Sequence, residues 1–250
     1  MSVDIRRPAK KFLPHFVVAQ EQNLNEADTV QRVIRFLEQV LGYNPMTEIT
    51  REKQVKDKYV DLAVKVEDVV KFLIEVKSAG TELRDRHIEQ AQHYAAEDNL
   101  RWVVLTNGVV WTLYHLTFED GVEYERLFSV NLSTELDRAC ECLSLLHRSS
   151  VRKDKHEEYW DHRSALDAES IGKALFTQDV LRSIRRGIRR NEGLLVDEED
   201  LATAIHGLFS VEAREKIGPM RVRRRRKATK SKAVGAAIAA VDLSEDAKES

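Results

Sequence analysis

Between Glu26 and Leu41, apolar side chains recur at Val30, Val33, Ile34, Leu37 and Leu41, the spacing of one helix face, and Gly42 supplies a C-terminal stop. The period then drops to two. Val60, Leu62, Val64 and Val66 fall on one side of a strand and Tyr59, Asp61, Ala63 and Lys65 on the other. Glu67-Asp68 marks a turn, after which Val70, Phe72, Ile74 and Val76 alternate with Lys71, Leu73, Glu75 and Lys77, so this stretch predicts a β-hairpin. A helix over about 87–96 follows, then an apolar strand over 102–106, the turn dipeptide Asn107-Gly108 and a partner strand over 109–116, with a further hairpin suggested at Asp120-Gly121. Beyond Ser133 the pattern is helical almost throughout, over about 133–147, 155–175, 178–190, 198–209 and 211–217. The order helix, strand, strand, helix, strand, strand predicts an α/β fold, a mixed sheet flanked by helices, with a helical C-terminal extension.

Composition adds a division of the chain. With 250 residues, 42% of them hydrophobic, the chain can bury a real core. Its 40 basic and 42 acidic residues nearly cancel, to a net charge of −2. The balance conceals a segregation: residues 1–150 carry 19 basic against 24 acidic side chains, 151–218 carry 12 against 14, and 219–250 carry 9 against 4. These three pieces are the expected domain, helical extension and tail. The tail holds Arg221, Arg223, Arg224, Arg225, Arg226, Lys227, Lys230 and Lys232 with no acid among them, a block expected to be disordered until it meets a polyanion. No run of about 18 apolar residues occurs, and no apolar segment follows the basic start, so neither a membrane span nor a signal peptide is expected and a cytoplasmic location is. Cys140 and Cys142 stand two apart on a predicted helix, where side chains do not face each other, and read as ordinary buried thiols.

The candidate chemistry lies in the hairpin. Glu75 and Lys77 share one face of its second strand with Val76 turned to the core between them, and the first strand can bring Asp61 alongside. Two carboxylates a few Å apart repel unless a cation bridges them, and hard oxygen ligands select Mg²⁺ or Mn²⁺ over zinc. A lysine beside such a metal suits metal-assisted hydrolysis of a phosphodiester. The alternative is a half-solvated hairpin on which Glu75 and Lys77 form an ion pair on the outer face.

Asp61, Glu75-Val76-Lys77 and the downstream Gln90-Ala-Gln-His-Tyr94 resemble the PD-(D/E)xK nuclease core of the type I restriction enzyme R-subunit (HsdR) N-terminal domain. The resemblance extends through Asn25-Glu-Ala-Asp-Thr29 and Leu41-Gly-Tyr43 and covers roughly residues 20–130. It implies a restriction-endonuclease-like fold in which Asp61, Glu75 and the backbone carbonyl of Val76 ligate the metal. Lys77 would orient the attacking water and stabilise charge at the phosphate. Gln90 and Tyr94, four apart on one helix face, would support the strand or contact the DNA backbone; from the residues alone, Tyr94 could equally pack on the core and Gln90 cap local backbone. An acid on the first helix would assist the metal, with Glu26 preferred and Asp28 the rival.

The family's R subunits continue into an ATP-driven motor, but this sequence has no phosphate-binding loop: Gly172-Lys173 lacks the preceding glycine and the following Ser or Thr. No ATP binding is expected, and site choice or a motor would come from separate specificity or motor subunits. Arg182, Arg185, Arg186, Arg189 and Arg190 form a stripe along one helix face beside Leu181, Ile184 and Ile188, suited to DNA phosphates, with Arg223, Arg224, Arg225 and Arg226 of the tail as a second contact. Internal pairing of the stripe with Asp197, Glu198, Glu199 and Asp200 is the competing reading. His156 and His162 with their neighbouring acids read as a solvated helix face, and Trp102, Trp111, Tyr114 and Phe118 as core. The expected activity is restriction-type cleavage of double-stranded DNA; a non-catalytic DNA-binding or assembly module is the alternative, and RNA is not excluded as a substrate.

Overall fold

The computed structural model describes residues 3–55, 58–118 and 121–218, apart from the side chains of 52–55, 58, 59 and 90. The expected Arg223–Arg226 contact and the predicted disorder of the tail therefore lie outside the described residues, as does Asp120. The described residues form two compact units, divided between Ser164 and Ala165.

The first unit opens with a helix that the sequence pattern does not announce. α1 (Arg6–Glu21) buries Ala9, Phe12, Phe16 and Ala19 but carries Pro14 inside it. Proline removes a backbone donor from the helix interior, and Pro14 with the basic opening masks the helical signature. Packing overrides this: Phe12 and Phe16 lie 5.5 and 5.4 Å from Phe36, which lies 5.1 Å from Trp111. α2 (Glu26–Gln39) is the helix expected over 26–41. Asn25 caps it by accepting from the Asp28 amide at 2.9 Å. Gly42 follows with φ +79°, a left-handed turn that glycine adopts freely. Tyr43 is then buried, its hydroxyl donating to the Leu146 carbonyl at 2.8 Å.

Among the described residues six strands follow in spatial order: β1 (Ile49–Val55), β2 (Lys58–Val66), β3 (Val69–Val76), β4 (Trp102–Thr106), β5 (Val110–Thr117) and β6 (Glu123–Asn131). All neighbours are antiparallel except β3 and β4. That parallel pair needs a crossover, supplied by a 3₁₀ turn (Asp85–Ile88) running into α3 (Glu89–Glu97). The edge strand β1 escapes the sequence pattern, because Ile-Thr-Arg-Glu-Lys-Gln-Val has no apolar alternation. The β2–β3 hairpin closes through two residues, Glu67 and Asp68, at φ +53° and +63°. Both positive angles match the right-handed strand twist without the usual glycine, and the short turn fixes the register.

The sheet is covered on both sides. One core joins Leu62, Val64, Ile74, Val76, Val104 and Trp111 with α1 and α2; the other joins Ala63, Leu73, Val103, Leu105, Tyr114 and Leu116 with Ile88, Ala91 and Ala95. Val60, expected to share the face of Leu62, instead belongs to the second core. The alternation breaks at Asp61, where the β2–β3 ladder ends at Leu62↔Ile74 and a side chain takes over the pairing.

The stretch expected as one helix over 133–147 divides into α4 (Leu136–Leu143) and a 3₁₀ turn (Ser144–Leu146), ahead of the short α5 (Arg148–Val151). Cys140 and Cys142 on α4 are free thiols raised by burial, Cys140 to about 11. The stretch over 155–175 divides into α6 (Lys155–Ala165) and α7 (Ala168–Leu175), because Asp167 caps a new start by accepting from the Ser170 amide at 2.6 Å. α8 (Gln178–Glu192), α9 (Glu198–Gly207) and α10 (Val211–Ile217) complete the second unit around Phe176, Leu181, Leu201, Ala202 and Ile205. Gly172 lets α7 and α10 approach, since a Cβ there would stand 2.6 Å from Ile217. Among the described residues no helix is long and apolar enough to cross a membrane.

His156 is not solvated as expected. It is 1% exposed, with its ring 5.2 Å from Trp102, which itself faces His115 at 4.8 Å. The predicted core aromatics Trp102, Trp111 and Tyr114 are indeed buried. His115 also stacks on Trp160 at 4.0 Å, and neither of its nitrogens has a hydrogen-bond partner among the described residues. Burial, helped by Arg101, pushes His115 down from 6.5 to about 4. The unfolded chain therefore binds a proton that the folded chain refuses between these values, so this contribution to stability is complete above pH 6.5 and is lost as pH falls toward 4. Its size is on the order of 3 kcal/mol. His115→Phe should lose markedly less stability than wild type across that window in urea unfolding; equal losses would remove His115 from the account.

Candidate active site

The site forms where β2, β3 and the start of α2 meet. β3 delivers Glu75, Val76 and, just past its end, Lys77, whose amide donates to the Thr106 carbonyl of the parallel strand at 2.8 Å. The Asp61 carboxylate accepts from the Val76 amide at 2.7 Å. Val76 itself turns into the core, fully buried, which leaves its neighbours on the other side of the strand.

Glu75 is 3% exposed. The outer-face ion pair considered from the sequence thus exists as a pair but not as an exposed one: Lys77 Nζ donates to Glu75 Oε1 at 2.5 Å. The same ammonium lies 3.6 Å from Glu26 Oε2, bridging the two carboxylates. Glu26 therefore reaches the lysine from the first turn of α2, whereas Asp28 engages Asn25 and Arg32 through its backbone. Glu75 Oε2 is buried with no hydrogen-bond partner among the described residues. Burial first, and the charge of Asp61 second, raise Glu75 to about 7 despite the opposing bond from Lys77. For Lys77, burial works against the ammonium, but its bond to Glu75 and the charges of Glu75, Glu26 and Asp61 outweigh that and raise its pKa.

A cleft of about 280 Å³ opens beside these groups, lined by Glu26, Ala27, Val30, Arg51 and Asp61. Nothing in the sequence pattern singles out Arg51. It lies on the polar edge strand opposite Leu62, and only the pairing of β1 with β2 carries it to the site. With the Gln31 amide in its hydrogen-bonding orientation, the amide oxygen accepts from both guanidinium nitrogens of Arg51, at 3.0 and 3.2 Å.

Tyr94 is buried in the second core, in the cluster that contains Leu73 of β3. This is a core position rather than an exposed one. Gln90 takes its place on the backbone of α3, and its side chain lies outside the described residues. In the second unit, the stripe lines a cleft of about 620 Å³ with Arg182, Arg185, Arg186 and Arg189, beside Asp179 and Leu195. Among the described residues only Arg185 of the stripe is engaged internally, donating to the Val196 carbonyl at 2.7 Å and lying 3.6 Å from Glu198. Arg182, Arg186, Arg189 and Arg190 are exposed and have no ion pair among the described residues.

Among the described residues no group of three or more His, Cys, Asp and Glu side chains is gathered as a ready metal cage. At this site a lysine ammonium supplies positive charge to two of the acids. The buried Oε2 of Glu75, without a partner among the described residues and under the charge of Asp61, nonetheless fits a cation, because a buried carboxylate oxygen without a donor is costly unless a positive charge approaches it. Carboxyl-carbon NMR should find Glu75 titrating near 7 in metal-free protein. Asp61→Asn should lower that value by removing a like charge, and Lys77→Met should raise it; a Glu75 that titrates as an ordinary carboxylate would remove the coupling.

No curated protein matches the chain. A solved structure, that of the type IIG restriction endonuclease BpuSI, matches at 15% identity and a TM-score of 0.39, covering 70% of this chain and 23% of that one. The chain thus spans less than a quarter of that enzyme's length. The family model described as the type I restriction enzyme R protein N terminus (HSDR_N) matches residues 25–129, from the cap of α2 into β6. The stretch that holds Glu26, Asp61, Glu75 and Lys77 is therefore similar to the type I restriction enzyme R protein N terminus.

Proposed function

We propose that this protein is a Mg²⁺- or Mn²⁺-dependent DNA endonuclease of restriction type, built on a PD-(D/E)xK core. The observation that carries the reading is Glu75, a buried carboxylate with one oxygen on Lys77 and the other without a partner among the described residues, coupled to Asp61 at the edge of an open cleft. The family match over residues 25–129 supports it.

Asp61, Glu75 and the Val76 carbonyl, with Glu26 from α2, are the groups that would hold the metal. Bound there, the metal would polarise a phosphoryl oxygen and make water a better nucleophile at neutral pH. The chain's own residues do the rest. Lys77, held by Glu75 and Glu26, orients the water and offsets charge gathering on the phosphate oxygens. Arg51, steadied by Gln31, binds a phosphate in the cleft. Water adds to phosphorus in line with the bond to the 3′ oxygen, which breaks as that oxygen takes a proton. Tyr94 supports β3 from behind, and Gln90 is assigned the same role or a backbone contact.

The stripe of α8 is proposed to bind phosphates without reading sequence, and any choice of site or translocation along DNA would come from separate specificity or motor subunits. Gly172-Lys173 is better explained by the packing of α7 on α10 than by a nucleotide.

Purified protein should relax or linearise plasmid DNA with Mg²⁺ or Mn²⁺, and Asp61→Ala or Lys77→Ala should slow it by about 10²–10³-fold. A wild type that binds DNA yet cuts with no divalent metal would replace this reading with a non-catalytic module. For the stripe, replacing Arg182, Arg186 and Arg189 together by Gln should flatten the dependence of DNA affinity on salt by about 0.9 log units per decade for each phosphate left without its arginine. An unchanged slope in fluorescence anisotropy would take the stripe out of the interface.

A further inference from the structure

We propose that a second cavity, beginning three residues beyond Lys77, is a binding site for one unpaired nucleobase, with guanine the best match. The inference deepens the nuclease reading and rests on it in one respect, that the base belongs to the DNA being cut.

The cavity measures about 360 Å³, at the small end of ligand pockets, which run roughly from 300 to 1,000 Å³. It has room for one base with its sugar. Its floor is polar where a strand would ordinarily present valine: Thr112 of β5 is 3% exposed and its hydroxyl shares a 2.9 Å hydrogen bond with that of Ser129 on β6. One hydrogen between two hydroxyls leaves a second donor and several lone pairs at the cavity. On one wall the Tyr114 hydroxyl donates to Asp85 Oδ1 at 2.7 Å, which fixes the carboxylate in place. Directly across the β5–β6 ladder from Tyr114 stands Arg126, whose side chain forms no hydrogen bond or ion pair with any described residue. A guanidinium without a partner among the described residues and an oriented carboxylate thus border the same polar floor.

The remaining wall continues the active-site strand. Gly80 and Thr81 line the cavity, and the loop that carries them is pinned at both ends. The Ala79 amide donates to the Leu24 carbonyl at 3.0 Å, and Asn107 Nδ2 donates to the Thr81 carbonyl at 2.9 Å. A Cβ at Gly80 would stand 2.1 Å from Asn23 Oδ1, so any other residue there would have to displace the Asn23 side chain. A ligand in the cavity is thereby held by a short, fixed loop running directly from Lys77.

The lining decides the class of ligand. A phosphate would meet Arg126 but also Asp85, and an apolar molecule would leave the guanidinium, the carboxylate and the hydroxyls without partners. A neutral flat molecule with acceptors on one edge and donors on the next satisfies both. Guanine offers O6 and N7 to an arginine and its amino group to a carboxylate. That second edge is occupied in a base pair, so the base must be extrahelical or single-stranded, at an unstacking cost of a few kcal/mol.

The test uses the full chain without divalent metal, titrating guanosine, inosine, adenosine and inorganic phosphate by saturation-transfer NMR. Guanosine should bind saturably, inosine about tenfold more weakly for want of the amino group, and phosphate should not displace it. Arg126→Ala, at an exposed position, and Asp85→Asn should each weaken guanosine by at least about tenfold while thermal unfolding stays cooperative. Absence of saturable guanosine binding, affinity unchanged in Arg126→Ala, or displacement by phosphate would each overturn the proposal. Nucleoside binding requires neither metal nor cleavage, so a protein that holds guanosine but cuts no plasmid would lose the nuclease reading and keep the pocket.

Discussion

The hydrogen bond from the Val76 amide to the Asp61 carboxylate is the contact on which the site depends. It occurs where β2 stops pairing with β3 through its backbone, so a side chain takes the place of a main-chain acceptor. A charge-assisted bond of this kind contributes about 1.5–3 kcal/mol, yet its larger effect is positional. It fixes Asp61 beside the strand that ends in Glu75 and Lys77. The register that makes it possible is set fifteen residues wide by the two-residue turn at Glu67-Asp68 and by one irregularity at Val64/Lys65.

Around that bond the electrostatics are unbalanced by the fold rather than by composition. Three acids and one lysine converge, and burial together with the charge of Asp61 holds Glu75 well above the usual carboxylate range. Lys77 offsets part of the charge but reaches only one oxygen of Glu75. A buried carboxylate in this condition is sensitive to any positive charge that comes near it. Arg51 brings a positive charge to the cleft mouth from a different strand.

The two faces of the sheet divide the labour. The face covered by α1 and α2 is filled with large apolar side chains and supplies rigidity. The other face carries α3 and, beside it, the polar cavity at Thr112, Ser129 and Arg126. Both candidate sites share the loop that leaves Lys77, pinned to the α1–α2 connection on one side and to Asn107 on the other. The second unit stands apart in chemistry, with four exposed arginines on one helix and a small apolar core of its own.

Much of this is readable in the chain because it is local. Periodicity locates α2 and the strands from β2 to β5, Asn107-Gly108 locates a turn, and Asp61 with Glu75-Val76-Lys77 locates the chemistry, since alternation and short turns are properties of neighbouring residues. What escapes is nonlocal. α1 is helical despite Pro14 because Phe12 and Phe16 find Phe36 and Trp111, and β1 is a strand because β2 offers it a partner. Val60 changes faces because Asp61 interrupts the ladder, and His156 is buried because Trp102 covers it. The sequence by itself determined which residue types could do chemistry and in what order they come. Only the tertiary structure decided that Glu26 reaches Lys77, that Arg51 joins the cleft and that Glu75 is buried, because those facts are distances between segments far apart in the chain, and packing alone sets them.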